Sequence, residues 1–135
     1  MEHSKIYAVD FDGTLNLAEE YPKLGDPNRE LIAYLRGQQQ DGDKVILWTC
    51  REGSLLKSAV KFCKSYGLEF DAVNDNLKEN AEHFQNNCRK VFADYYIDDR
   101  SANFWNMPSV SLPDPQATER MGISEYIMKR FGKVE

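Results

Sequence analysis

Residues 5–15, KIYAVDFDGTL, decide how the rest of the chain is read. Four apolar residues, Ile6 to Val9, run directly into Asp10-Phe11-Asp12-Gly13-Thr14. A run this short, rich in β-formers and closed by Asp and Gly, predicts a buried strand followed by a turn. Two carboxylates one residue apart at the end of a water-avoiding segment need a reason. An Asp-Gly hairpin turn is one reason; a site that uses both acids is the other. What the remaining strands end on decides between them.

Three more apolar runs follow, each preceded by a helix-like stretch. GDPNRELIAYLRGQQQDGD, 25–43, offers Asp26 as N-cap with Pro27 at the first helical position, Leu31, Ile32 and Leu35 at helical spacing, and Gly42 as the stop. A strand is predicted from Lys44 to Trp48. In SLLKSAVKFCKSYG, 54–67, Leu55, Leu56, Ala59, Val60 and Cys63 share a helix face before Gly67. LEFDAV, 68–73, is a short strand, and NLKENAEHFQNN, 76–87, a weaker helix with Leu77, Ala81 and Phe84 as its apolar stripe. KVFADYYIDDR, 90–100, gives a fourth strand centred on Tyr95 to Ile97. Continuously apolar strands alternating with helices predict an α/β domain with a mostly parallel, doubly wound sheet in three layers. Past Asn103 the sequence is loop-like, with Pro108, Pro113 and Pro115, and closes on a short helix around Ser124–Phe131; residues 1–135 read as one domain.

In such sheets ligands bind beyond the carboxyl ends of the strands. The first strand ends on Asp10 and Asp12, the second on Thr49, Cys50 and Arg51, the fourth on Asp98 and Asp99. Right-handed crossovers put all these ends on one edge of the sheet. Two carboxylates ~4 Å apart repel by about 4 kcal/mol at an effective dielectric near 20, so a cluster of up to four acids implies compensation by protonation, a basic side chain or a cation. Hard oxygen ligands with two histidines and no C-x-x-C pair point to Mg²⁺ over zinc.

Taken together, D-F-D-G-T at Asp10–Thr14, a strand ending in Thr49, a lysine before the last strand and Asp98-Asp99 resemble the haloacid dehalogenase superfamily of phosphotransferases. The resemblance spans residues 5–100. It implies that Asp10 is the nucleophile toward phosphorus, Asp12 the general acid and base, and Thr49 and a lysine the holders of the transferring phosphoryl group. Mg²⁺ is implied on Asp10, the backbone carbonyl of Asp12, and an acid of the Asp98-Asp99 pair. Gly13 and Thr14, with Cys50 and Arg51, are candidate substrate contacts. Lys90, eight residues before Asp98, is the preferred lysine and Lys78, twenty before, the alternative. Neither inter-motif gap has room for the cap domain of larger members, so a capless core is expected. Its open site suits a bulky substrate or closure by a neighbouring subunit, and NLAEEYPKLG, 16–25, is a candidate flap.

The chemistry gives its own reasons for this pattern. Phosphate monoesters are among the slowest species to hydrolyse uncatalysed, and a carboxylate nucleophile divides the reaction into two easier steps. Gly13 bends the chain so that two acids at strand spacing approach one phosphate from different sides. Arg51 and Arg100 read equally well as substrate contacts or ion-pair partners. Cys50 lacks the arginine six residues on that a cysteine phosphatase needs, since residue 56 is Leu. Cys63 reads as core and His83 as solvated.

Bulk properties exclude other classes. Net charge is −5, with no basic run interleaved with aromatics, so no nucleic-acid surface is indicated. No apolar run reaches membrane-span length and no signal-peptide core follows a basic segment. Three unpaired-looking cysteines fit a cytoplasmic setting. Two rival functions use similar residues: a receiver-type signalling module, whose phosphoacceptor follows the third strand, and a phosphate-binding protein without turnover. The D-x-D spacing and the double acid after the fourth strand favour a phosphatase acting on a small phosphorylated substrate, with nucleotide, sugar phosphate and phosphorylated macromolecule all open.

Overall fold

Residues 4–101 are described by the computed structural model. The chain divides into two compact units, Met1–Asp99 and Arg100–Glu135. The fold set out here is that of the first; the loop-like stretch after Asn103 and the helix expected near Ser124–Phe131 lie outside the described residues. Strands β1 (Ile6–Val9), β2 (Lys44–Leu47), β3 (Ala72–Val73) and β4 (Tyr95–Ile97) alternate with helices α1 (Arg29–Gln40), α2 (Gly53–Ser65) and α3 (Lys78–Phe84). Every strand pair is parallel, and the order is β3-β2-β1-β4. That is an α/β fold, and its strand order is compatible with a Rossmann-like, doubly wound sheet.

Handedness places the layers. The steps β1 to β2 and β2 to β3 move the same way across the sheet, so right-handed crossovers put α1 and α2 on one face; the return from β3 to β4 runs the other way and covers the opposite face. The side chains agree. Tyr7, Val9, Val45 and Leu47 meet Ile32 and Leu35 of α1 and Ala59 and Cys63 of α2. Their strand neighbours Ile6, Ala8 and Ile46 point the other way, to Leu77, Val91 and Ala93. Burial pushes the Cys63 thiol up to about 12, so it behaves as a core residue.

Three local expectations are corrected. The cap of α1 is Asn28, whose side chain accepts from the Leu31 N–H at 3.2 Å, rather than Asp26. Pro27 is held in an antiparallel bridge with Asn16 and the Asp26 carbonyl accepts from Leu17 N–H, which keeps this segment extended until Asn28. In α3 the stripe does not hold: Leu77 is buried, whereas Phe84 is 53% exposed and lies against the exposed Phe92. A seven-residue helix covers too little sheet to bury its last turn. Finally, β4 ends the sheet among the described residues, so Tyr95 and Tyr96 are half-exposed instead of buried, Tyr95 stacking on Tyr7.

Acidic residues at the amino ends of the strands are structural. Asp43, Asp94 and Asp71 accept from the backbone N–H groups of Lys5, Ile6 and Val45 at 2.7–2.8 Å, completing the ladder where the strands begin.

Candidate active site

The register aligns the carboxyl ends. Val9 pairs with Leu47 and with Ile97, and Leu47 with Val73, so all four strands finish in one row. The next backbone N–H groups extend the ladder by one step: Asp10 to Ile97 O (2.9 Å), Trp48 to Val9 O (2.8 Å), Asn74 to Leu47 O (2.7 Å). Asp10, Thr49, Asn74, Asp98 and Asp99 therefore emerge along one edge, as the crossover rule predicts.

Past Asp10 the chain turns sharply. The Thr14, Leu15 and Asn16 N–H groups converge on the Phe11 carbonyl at 2.9–3.1 Å, and Gly13 N–H bonds Asn16 O. Since both neighbours of β1 are parallel to it, Asp12-Gly13 is no hairpin turn. Gly13 has φ +81°, a region side chains avoid, and a Cβ there would collide with the Asp99 carboxylate. Thr14 closes the arrangement: its hydroxyl accepts from Asp99 N–H at 3.0 Å and lies 3.5 Å from Asp10 Oδ2.

Oxygens of Asp10, Asp98 and Asp99 lie within 4.8 Å of one another. The Asp10 carboxyl is pushed up to about 6, first by burial and then by its acidic neighbours Asp98 and Asp99, against the lowering influence of the Phe11 backbone N–H. The residues fit a hard divalent cation: three carboxylates converge, and the missing Cβ of Gly13 leaves the space that Asp99 fills.

Asp12 does not join this cluster with its side chain. Both its oxygens are taken by Arg51, Nε to Oδ2 at 2.8 Å and Nη2 to Oδ1 at 2.7 Å. The four-carboxylate cluster of the sequence reading is thus three carboxylates and an ion pair. Arg51 is 1% exposed, so it is neither a surface ion pair nor an open substrate contact. Its remaining bonds go to Pro22 O and Leu55 O, its Cζ lies 4.8 Å from the Phe11 ring centroid and 5.3 Å from that of Tyr21, and the bond to Asp12 raises the guanidinium's pKa above its ordinary value.

Thr49 is oriented at both ends: its N–H donates to Asn74 Oδ1 at 2.8 Å, and its Oγ1 accepts from Arg51 N–H at 3.1 Å, which leaves the hydroxyl proton to donate. Cys50 is exposed beside it. Lys90 is exposed, its ammonium 5.2 Å from the Tyr96 ring centroid; Lys78 is the first residue of α3. The geometry thus brings Asp10, Thr14, Asp98 and Asp99 together and sets Asp12 beside them on Arg51, while Lys90 sits over β4.

Two residues escaped sequence reasoning. Asn74 has φ +51° and orders Thr49 while donating to Arg51 O; its signal was an Asn directly after an apolar strand. Asn16 is buried and anchors the 16–25 loop, accepting from Ala18 and Gly25 N–H and donating to Lys23 O.

Fold and site together define an α/β protein with an acidic cluster at the carboxyl edge of a parallel sheet. No family model and no curated protein matches the chain. Among solved structures it is similar to a conserved protein coded by a locus from Bacteroides thetaiotaomicron, with 33% identity, 98% of this chain and 94% of that chain covered, and a TM-score of 0.64. At that identity over nearly the whole length, the chain belongs to the same family as the Bacteroides protein. Among the described residues no helix is long and apolar enough to cross a membrane.

Proposed function

We propose that the protein is a Mg²⁺-dependent phosphomonoester hydrolase working through a phosphoaspartate on Asp10, a capless phosphatase of haloacid dehalogenase type. The observation that carries this reading is the convergence of Asp10, Asp98 and Asp99 beside a glycine that admits no side chain. Strand order adds support. β1 and β4 are neighbours, and the crevice of a doubly wound sheet opens where successive connections leave in opposite directions, here between the ends of β1 and β4.

In this scheme Asp10, Asp98 and an oxygen from the Asp98-Asp99 turn or the Asp12 backbone would hold the cation. When bound, Mg²⁺ supplies positive charge to the phosphoryl oxygens and offsets the repulsion among the acids. The Asp10 carboxylate attacks phosphorus in line with the leaving oxygen. Asp12 gives that oxygen a proton, then takes one from the water that cleaves the acyl phosphate. Thr49 donates its hydroxyl proton to a phosphoryl oxygen, and Lys90, swung from the Tyr96 ring, adds charge to the same group.

The receiver reading has less behind it. β3 lies at the far edge of the sheet, separated from β1 by β2. Asp71 is occupied by Val45 N–H and Gln39, at the amino end of β3, and Asp75 by Asn76 N–H and Asn87. With no cap in the first unit, the site is open to a small phosphorylated substrate, and closure by a neighbouring subunit remains part of the proposal. The test is a panel of phosphate monoesters assayed with Mg²⁺, with chelator, and with Ca²⁺. Turnover that disappears with chelator, returns with Mg²⁺ and is poorly supported by Ca²⁺ is expected. Full activity in chelator would refute the assignment.

A further inference from the structure

The Arg51–Asp12 pair is more elaborate than an ion pair needs to be. A buried charge pair is a poor source of stability, because desolvation offsets much of the attraction. Yet here one fully buried guanidinium joins three segments: the first-motif turn through both oxygens of Asp12, the 16–25 loop through Pro22 O, and the first turn of α2 through Leu55 O. The rings of Phe11 and Tyr21 both lie within cation–π distance of it. The side chain has no freedom left, and through the fork neither has Asp12. Lysine cannot reproduce this grip, since its ammonium is a point charge without a planar fork.

The consequence lies two residues away. Asp12 stands beside three carboxylates that gather at one point, and an unheld aspartate has several side-chain rotamers. We infer that Arg51 is a positioning residue that holds the Asp12 carboxyl in one orientation, out of the Asp10–Asp98–Asp99 cluster, as the proton-transfer group of the site. This rests on the phosphatase reading above and refines it. In the first step the bond from Asp10 oxygen to phosphorus forms, the ester P–O bond breaks, and the leaving oxygen receives a proton that Asp12 carries on a lone pair outside the Arg51 fork, which takes one of the two on each oxygen. In the second, water oxygen bonds phosphorus, its proton passes to Asp12, and the Asp10–phosphorus bond breaks to regenerate the carboxylate. Only the first step depends on the leaving group, and it depends on Asp12 most when that group is a poor one. In kcat/KM, which reports the steps through leaving-group departure, a misplaced Asp12 therefore penalises substrates unequally, whereas a general loss of structure penalises them alike.

The experiment compares an alkyl phosphate with a nitro-substituted aryl phosphate, in Mg²⁺, for the wild-type protein, Arg51→Lys, Asp12→Asn and the double variant. Arg51→Lys should lower kcat/KM on the alkyl ester by ~10²-fold, the lower end of what a positioned acid contributes. On the aryl ester the loss in kcat/KM should stay below about fivefold, while kcat falls on both esters because hydrolysis of the phosphoenzyme also uses Asp12. In the Asp12→Asn background, Arg51→Lys should cost less than about threefold, because the residue it positions is already gone. Tyr21→Ala removes one of the two rings at an exposed residue without touching the charges. It should show the same selectivity at smaller amplitude, even if Arg51→Lys does not fold. Equal losses of kcat/KM on both esters, or full additivity in the double variant, would overturn the inference and leave the phosphatase reading standing. Absence of turnover by the wild-type protein would overturn both.

Discussion

Gly13→Ala is a one-carbon change whose effect follows from the geometry. Gly13 has φ +81°, and placing an L-residue in left-handed backbone costs roughly 1–2 kcal/mol. The new Cβ would also run into the Asp99 carboxylate. Asp99 cannot retreat as a unit, because its backbone N–H is held by the Thr14 hydroxyl at 3.0 Å. Its side chain must rotate instead, and an off-rotamer side chain costs of order 0.5–1.5 kcal/mol. The sum is a destabilisation of about 1.5–3.5 kcal/mol, read as a lowered midpoint in urea at unchanged slope. The same rotation takes one of three carboxylates out of the cluster, so Mg²⁺ affinity, measured by calorimetric titration, should fall together with stability. A Gly13→Ala protein with wild-type midpoint and wild-type Mg²⁺ affinity would show that the turn and Asp99 are not coupled as described.

Three further outcomes are expected. The Asp10 carboxyl is raised from 3.8 to about 6, chiefly by burial, so the folded state binds the proton more tightly than the unfolded chain; the associated stability is complete below pH 4 and is lost as pH rises through 6. In metal-free buffer at pH 7.5, Asp10→Asn should therefore be more stable than wild type, by about 1–2 kcal/mol after discounting for a half-exposed group, the gap closing below pH 4 in denaturant titrations. Asn28→Ala should cost about 1–2 kcal/mol, since Asn28 both caps α1 and donates to the Thr14 carbonyl at 3.0 Å. Lys90→Ala should lower phosphatase kcat by ~10²–10³-fold and Lys78→Ala by little; the reverse ranking would move the phosphate-binding role to the start of α3.

Periodicity carried the fold well where burial was two-sided. β1 and β2 lie inside the sheet, and their apolar runs ended within a residue of the observed strands. Legibility dropped at the margins. β3 shrank to Ala72–Val73 and β4 exposed its tyrosines; both strands lie at the ends of the sheet among the described residues, and a strand so placed is apolar on one side only. The placement of Asp10, Asp98 and Asp99 followed from strand ends and crossover handedness alone. The fate of Asp12 did not. Its partner lies 39 residues away, and nothing in Thr49-Cys50-Arg51 indicates that the arginine turns inward against Phe11 and Tyr21. Asn28 displaced Asp26 as the cap for a comparable reason: the bridge between Asn16 and Pro27 is a tertiary constraint on a locally plausible helix start.

The central claim is that Asp10 becomes covalently phosphorylated while Asp12 moves the protons, and one trapping measurement addresses it directly. Asp12→Asn keeps the nucleophile and the three-carboxylate cluster but loses the group that protonates the leaving oxygen and activates water. With an aryl phosphate and Mg²⁺ the first step needs little acid assistance, so phosphate should accumulate on the protein. Acid-quenched samples of wild type, Asp12→Asn and Asp10→Asn are to be digested and the phosphorylated residue located by mass. The account predicts phosphate on Asp10 in Asp12→Asn and none anywhere in Asp10→Asn. Phosphate on Asp71 or Asp75, or equal labelling of the two variants, would contradict it.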